Sequence, residues 1–187
     1  NTVGGNYSQS SGIVAIRNNG AHSLTVAGNF SLSGGTFANQ GDNSPGGVLN
    51  VAGNFSLLSG STLAGGNLLN VFFNGTGTQT FTSGGTVTGT TNFTVNADAF
   101  LQMADASTVV SGTAFTLTGT GNGGTLGIRS TDGIANAGAT GNIQTTARTF
   151  NTGANYIYNG TAPQNTGSGL PATVRNLETN NSGGAVT

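Results

Sequence analysis

The 187-residue chain has no Cys and no Trp, a single His, and only four cationic and five acidic side chains. Lysine is missing altogether, so the cations are Arg17, Arg129, Arg148 and Arg175. Little is left to neutralise nucleic-acid phosphates or to follow an anionic membrane, and no nucleic-acid partner is expected. Five carboxylates, one imidazole and no thiol also make a poor kit for acid–base, nucleophilic or metal chemistry. The chain is therefore not expected to be an enzyme or to carry a metal or cofactor. No run approaches the roughly 18 apolar residues of a spanning helix, so membrane insertion is not expected. The lack of Cys fits either redox compartment, because a long regular fold needs no disulfide staples.

What fills the chain is small and polar: 34 Gly, 30 Thr, 24 Asn and 16 Ser, more than half of all residues. Such a composition suggests a flexible linker. Against that stand a hydrophobic fraction of 34%, 10 Phe and abundant Val, Leu, Ile and Thr, which are strand formers.

The repeats decide between these readings. Val3-Gly4-Gly5-Asn6-Tyr7-Ser8 returns as Val26-Ala27-Gly28-Asn29-Phe30-Ser31 and as Val51-Ala52-Gly53-Asn54-Phe55-Ser56. A looser version begins at Val71-Phe72-Phe73-Asn74, and a fifth centres on Asn92-Phe93-Thr94-Val95. Apolar and polar residues alternate around each Asn, as in Leu24-Thr25-Val26 and Phe30-Ser31-Leu32, and Gly-rich turns follow. Alternation bounded by Gly, Ser and Asn predicts short strands and turns, with almost no helix. A sandwich has no reason to repeat the same words, whereas a solenoid stacks like residues about 4.8 Å apart. The expected fold is all-β: a parallel β-helix, or β-solenoid, of roughly eight coils of 18–25 residues. Residues 1–187 read as one solenoid segment of a longer protein, regular over 3–95 and less regular over 96–187.

In this geometry Val26, Phe30 and Leu32 point inward and stack on Val51, Phe55 and Leu57, with Phe93 in the same role. Asn6, Asn29, Asn54, Asn74 and Asn92 are expected to form one ladder of amides bonded to the coils above and below. Pro163 and Pro171 flank a polar stretch read as a protruding loop.

Few residues suggest a site. Asn6, Asn29, Asn54, Asn74, Asn92, Asn159 and Asn180 each begin an Asn-x-Ser/Thr glycan-acceptor pattern, but this composition gives about as many by chance. Thr pairs at 76–82, 86–90 and 116–120 raise an ice-binding face, which requires the pairs to recur on coil after coil. Asp42, Asp98, Asp105, Asp132 and Glu178 are scattered, while a polysaccharide-cleaving β-helix needs paired carboxylates. His22 reads as a turn residue, and Asp42-Asn43-Ser44 and Asp132-Gly133 read as turns without a calcium-loop ligand count. Tyr156 and Tyr158 share one face of a strand; exposed, they would form a sugar-stacking ligand face, and otherwise they belong to the core.

The phrase V-x-G-N-F-S followed by L-x-S-G, together with A-N-Y-I-Y-N-G-T-A-P-Q and G-L-P-A-T-V-R-N-L near the end, resembles repeat regions of large secreted surface proteins of gram-negative bacteria. These are adhesins of autotransporter or filamentous-haemagglutinin type. The resemblance implies a right-handed parallel β-helix, export to the cell surface, and a non-enzymatic adhesive or fibre-forming role. Surface glycans or other cells are then the expected partners, and end-to-end self-assembly into fibres is a further expectation.

Overall fold

A computed structural model describes residues 1–16, 22–40 and 46–187. Every regular element among them is a strand, and every strand pairing is parallel. The strands wind as a β-solenoid of about seven turns.

Three sheets form the sides. The first stacks Thr2–Val3, Ser23–Val26, Gly47–Val51, Leu69–Phe73, Thr91–Val95, Ala114–Leu117 and Ala147–Phe150. The second stacks Tyr7–Gln9, Phe30–Leu32, Phe55–Leu57, Thr78–Thr82, Phe100–Met103, Thr125–Ile128, Asn155–Tyr158 and Asn176–Thr179. The third has only Ile13–Ile16, Gly35–Asn39, Ser61–Ala64 and Thr86–Thr88. Beyond it, single parallel bridges, Val110 to Ile143 and Gln164 to Val186, lie outside the named strands.

The alternation in the sequence becomes inside and outside. In Gly47–Val51 and Leu69–Phe73 buried and half-buried residues alternate strictly, so one face of each strand supplies the core. Val26 lies opposite Val51, Phe30 opposite Phe55 and Leu32 opposite Leu57, all fully or nearly fully buried. Down the second sheet the rings of Tyr7, Phe30, Phe55 and Phe81 stack with centroids 5.0, 5.1 and 5.1 Å apart. That spacing follows from the distance between neighbouring strands. Phe73 and Phe93 of the first sheet meet Phe55 and Phe81 edge-on across the narrow interior. Each large buried side chain contributes about 1.5–3 kcal/mol, and each ring pair about 0.5–1.5 kcal/mol more.

Two expectations change. The turns are longer than 18–20 residues, and one of them, from Leu117 to its partner Phe150, takes 33, giving about seven turns instead of eight. The stretch between Pro163 and Pro171 does not protrude. Asn165 donates from its backbone N–H to Thr131 O and Gly169 to Ile134 O, at 2.8 Å each, so it stacks on the preceding turn.

Candidate functional site: ladders, clamps and the outer faces

The Asn repeats form a ladder with a chemistry of its own. Asn6 Oδ1 accepts the backbone N–H of Asn29, Asn29 Oδ1 that of Asn54, and Asn54 Oδ1 that of Thr80, each at 2.8 Å. The steps are 23, 25 and 26 residues long. A side-chain oxygen thus replaces a main-chain carbonyl at an exposed corner of each coil, instead of amide bonding to amide. The ladder passes to Thr80 because Phe81 is the residue opposite Phe55.

Asn74 is therefore not a rung of this ladder; it follows Leu69–Phe73 and donates its N–H to Val51 O. Asn92 belongs to the first sheet, where its Nδ2 donates to Asn70 Oδ1 at 3.2 Å, and its own Oδ1 is buried without a partner. Phe93, fully buried, lies opposite Val71 and Phe115, not in the column of Phe30 and Phe55.

Asn74 instead opens a second motif, which word-matching on Asn-Phe misses. Asn74-Gly75-Thr76-Gly77-Thr78-Gln79 and Asn159-Gly160-Thr161-Ala162-Pro163-Gln164 share the pattern N-G-T-x-x-Q. Gln79 and Gln164 are only 1% and 2% exposed. Gln79 Oε1 accepts the Gly75 N–H at 2.8 Å, and its Nε2 donates to Val51 O at 2.9 Å and Gly53 O at 2.7 Å. Gln164 Oε1 accepts the Gly160 N–H at 2.7 Å, and its Nε2 donates to Ile128 O at 3.0 Å and Ser130 O at 2.9 Å. In both, one side chain closes its own turn and ties it to two alternate carbonyls of the preceding coil. The two clamps close different corners: Gln79, in Thr78–Thr82, closes the turn between the first and second sheets, and Gln164 the turn that follows the second. Gly75 is required, because a Cβ there would collide with Ala52 O.

A third tie spans two turns. Gln102 and Asn159 exchange hydrogen bonds, Gln102 Nε2 to Asn159 Oδ1 at 3.1 Å and Asn159 Nδ2 to Gln102 Oε1 at 2.5 Å. Between their strands lies Gly127, whose missing side chain leaves room for the Gln102 amide.

The long turn over 129–146 is held the same way. Asn142, 1% exposed, accepts the N–H groups of Arg129 and Ser130 at 2.9 and 2.7 Å and donates to Thr108 O at 2.7 Å. Arg148 donates from Nε to Thr145 O at 2.9 Å, from Nη1 to Ala135 O at 2.8 Å and from Nη2 to Gly138 O. Burial lowers its pKa from the usual arginine value. Arg129 and Arg175 likewise bond carbonyls, those of Ala104 and Gly121. Arg17 and Asp42 lie outside the described residues, as do Asn43 and Ser44.

The carboxylates are dispersed among separate partners. Asp98 accepts from Asn122 Nδ2 at 2.6 Å, and Glu178 accepts from Asn180 Nδ2. Asp105 accepts from Ser107 and Thr108, and these bonds, led by the Ser107 hydroxyl, hold its carboxyl below the usual range. Among the described residues no three His, Cys, Asp or Glu are grouped as a metal site would need.

Tyr156 and Tyr158 do not form a ligand face. Both are fully buried, their hydroxyls donating to Asn151 O at 2.8 Å and Thr166 O at 2.6 Å. Burial pushes both phenols above the ordinary tyrosine pKa, and for Tyr158 the nearby Tyr156 adds to the shift.

The Thr pairs do not recur from coil to coil. Thr86 and Thr88 lie beside Thr62 and Ala64, which lie beside Thr36 and Ala38. Thr116 has Thr94 and Thr149 as neighbours, a single column. His22 is exposed.

No family model, curated protein or solved structure matches the chain.

Proposed function

We propose that this chain is a non-catalytic, load-bearing segment of an extracellular bacterial surface protein or fibre, of the adhesin type its repeats resemble. The observation that carries the reading is the continuity of the stack. Core columns, the Asn ladder and the Gln clamps each join one coil to the next, so force along the axis is shared by many parallel ties. Asp98, Asp105 and Glu178, each engaged with a different neighbour, support a structural role over a catalytic one. A near-absence of charge suits a surface that presents hydroxyls and amides.

The test is antibody labelling of intact cells that make the protein, before and after protease shaving. Surface signal that shaving removes supports the proposal. Signal seen only after permeabilisation overturns it.

A further inference from the structure

We propose that a groove on the outer side of the second sheet, over its last three strands, binds a neutral saccharide unit of a glycan. The groove has a volume of about 430 Å³ and is lined by Asn122, Asn155, Ile157, Arg175, Asn176 and Glu178 among others. Its size falls within the common range of small-molecule sites, about 300–1,000 Å³.

The strand register builds it. Asn155 and Ile157 alternate with the buried Tyr156 and Tyr158 and so face outward; Asn176 lies opposite Asn155, and Glu178 opposite Ile157. Arg175 and Asn122 close one side.

The polar groups are held in place by the protein. Asn176 Nδ2 donates to Asn155 Oδ1 at 2.6 Å, and Asn155 Nδ2 donates to Asn122 O at 3.0 Å. Arg175 donates from Nη1 to Gly121 O at 3.0 Å and from Nη2 to Asn122 Oδ1 at 3.4 Å. Asn122 is itself held by Asp98. A ligand therefore meets side chains already ordered, which lowers the entropic cost of binding.

Asn176 Oδ1, Glu178 Oε2 and Arg175 Nε have hydrogen-bonding capacity beyond these ties. Acceptors and a donor set close together match neighbouring sugar hydroxyls, each of which both donates and accepts. Ile157 offers an apolar spot for the C–H face of a pyranose.

The charge balance selects the class. The chain has four cationic and five acidic residues in all, and Arg175 and Glu178 meet in this groove, with Asp98 behind Asn122. Arg175 is offset by these carboxylates, so an anionic sugar gains no net attraction and a neutral one is favoured. The positions of earlier turns in register with Asn155 and Ile157, namely Thr125 with Gly127, Phe100 with Gln102 and Thr78 with Thr80, carry no charge.

This inference deepens the surface reading by naming the class of partner, and the two fail separately. Sugar binding is measured on the purified chain, and location on the cell. The chain is titrated with maltohexaose, cellohexaose, mannohexaose and, as an anionic control, a galacturonic acid hexamer, following backbone amide resonances by NMR. At least one neutral hexamer is expected to shift the amides of Asn122, Asn155, Ile157 and Asn176 saturably, at millimolar concentration or below. Glu178→Gln and Asn176→Ala, both at exposed side chains, are expected to weaken that binding at least tenfold with an unchanged thermal melt. The proposal is overturned if no neutral hexamer moves these amides at 20 mM, if both variants bind as the parent does, or if the anionic hexamer is preferred.

Discussion

Up to Met103 each coil is closed by three sheets and one aromatic ring per turn stacks on the next; past it the third sheet is gone and side chains bonded to backbone carry the third side. In the inward column of the second sheet, Tyr7, Phe30, Phe55 and Phe81 give way to Met103, Ile128 and Tyr158. The early turns repeat one solution. The later turns vary in length, and side-chain amides such as buried Asn142 and half-buried guanidinium groups such as Arg148 bond backbone groups that the sheet no longer pairs.

The largest test of this contrast is Phe55→Ala. The ring lies between Phe30 and Phe81, so its loss leaves a cavity costing about 3–5 kcal/mol. In urea melts, a cost below that of Ile128→Val, expected at about 0.5–1.5 kcal/mol, would deny the early turns their aromatic spine.

The clamps come next. Gln79→Leu and Gln164→Leu each leave a buried glycine N–H without its acceptor and cut the side-chain tie to the preceding coil, costing about 1–3 kcal/mol. Similar costs in both regions would mark the motif as self-contained; a cost confined to one would make the clamp dependent on its sheet. Asn142→Ala should act locally, with hydrogen exchange rising over 105–146 while residues 47–95 stay protected.

Alkaline pH should also separate the regions. A phenol whose folded pKa is raised contributes stability that is fully present below its unfolded value near 10 and is lost as pH rises through the folded pKa. Tyr156 and Tyr158, the most strongly raised, place most of that loss in the late turns, with Tyr7 adding a smaller share in the first, so the exchange protection of the late turns should fall first above pH 10. Replacing both with Phe should remove most of the alkaline loss and cost about 1 kcal/mol per hydroxyl at neutral pH.

The smallest effect is expected at the exposed Asn ladder. Asn29→Ala removes one acceptor for the Asn54 N–H, which water replaces, and should cost about 0.5–1 kcal/mol in the same melts.

The early turns were readable because identical words stack on each other: aligning Val26-Ala27-Gly28-Asn29-Phe30 with Val51-Ala52-Gly53-Asn54-Phe55 is the register itself. The same method failed at Asn74 and Asn92, since it followed the outward Asn and not the inward Phe that burial selects. Phe81 was the proper guide, hidden by Thr80 in the Asn position. Alternation placed Tyr156 and Tyr158 on one face but did not say which, because tyrosine suits either. The clamps were illegible for a different reason. A Gln among Gly and Thr reads as a surface residue, and only the glycine N–H and the carbonyls that converge on it at a corner, a three-dimensional circumstance, make it an interior one.

The six-residue N-G-T-x-x-Q phrase brings its own turn and its own attachment to the layer beneath, and it does so at two unlike corners. It behaves as a movable joint in the polypeptide's grammar. Because each copy carries both its bend and its attachment, the strands on either side need no shared spelling, and coils of unequal length stack on one another.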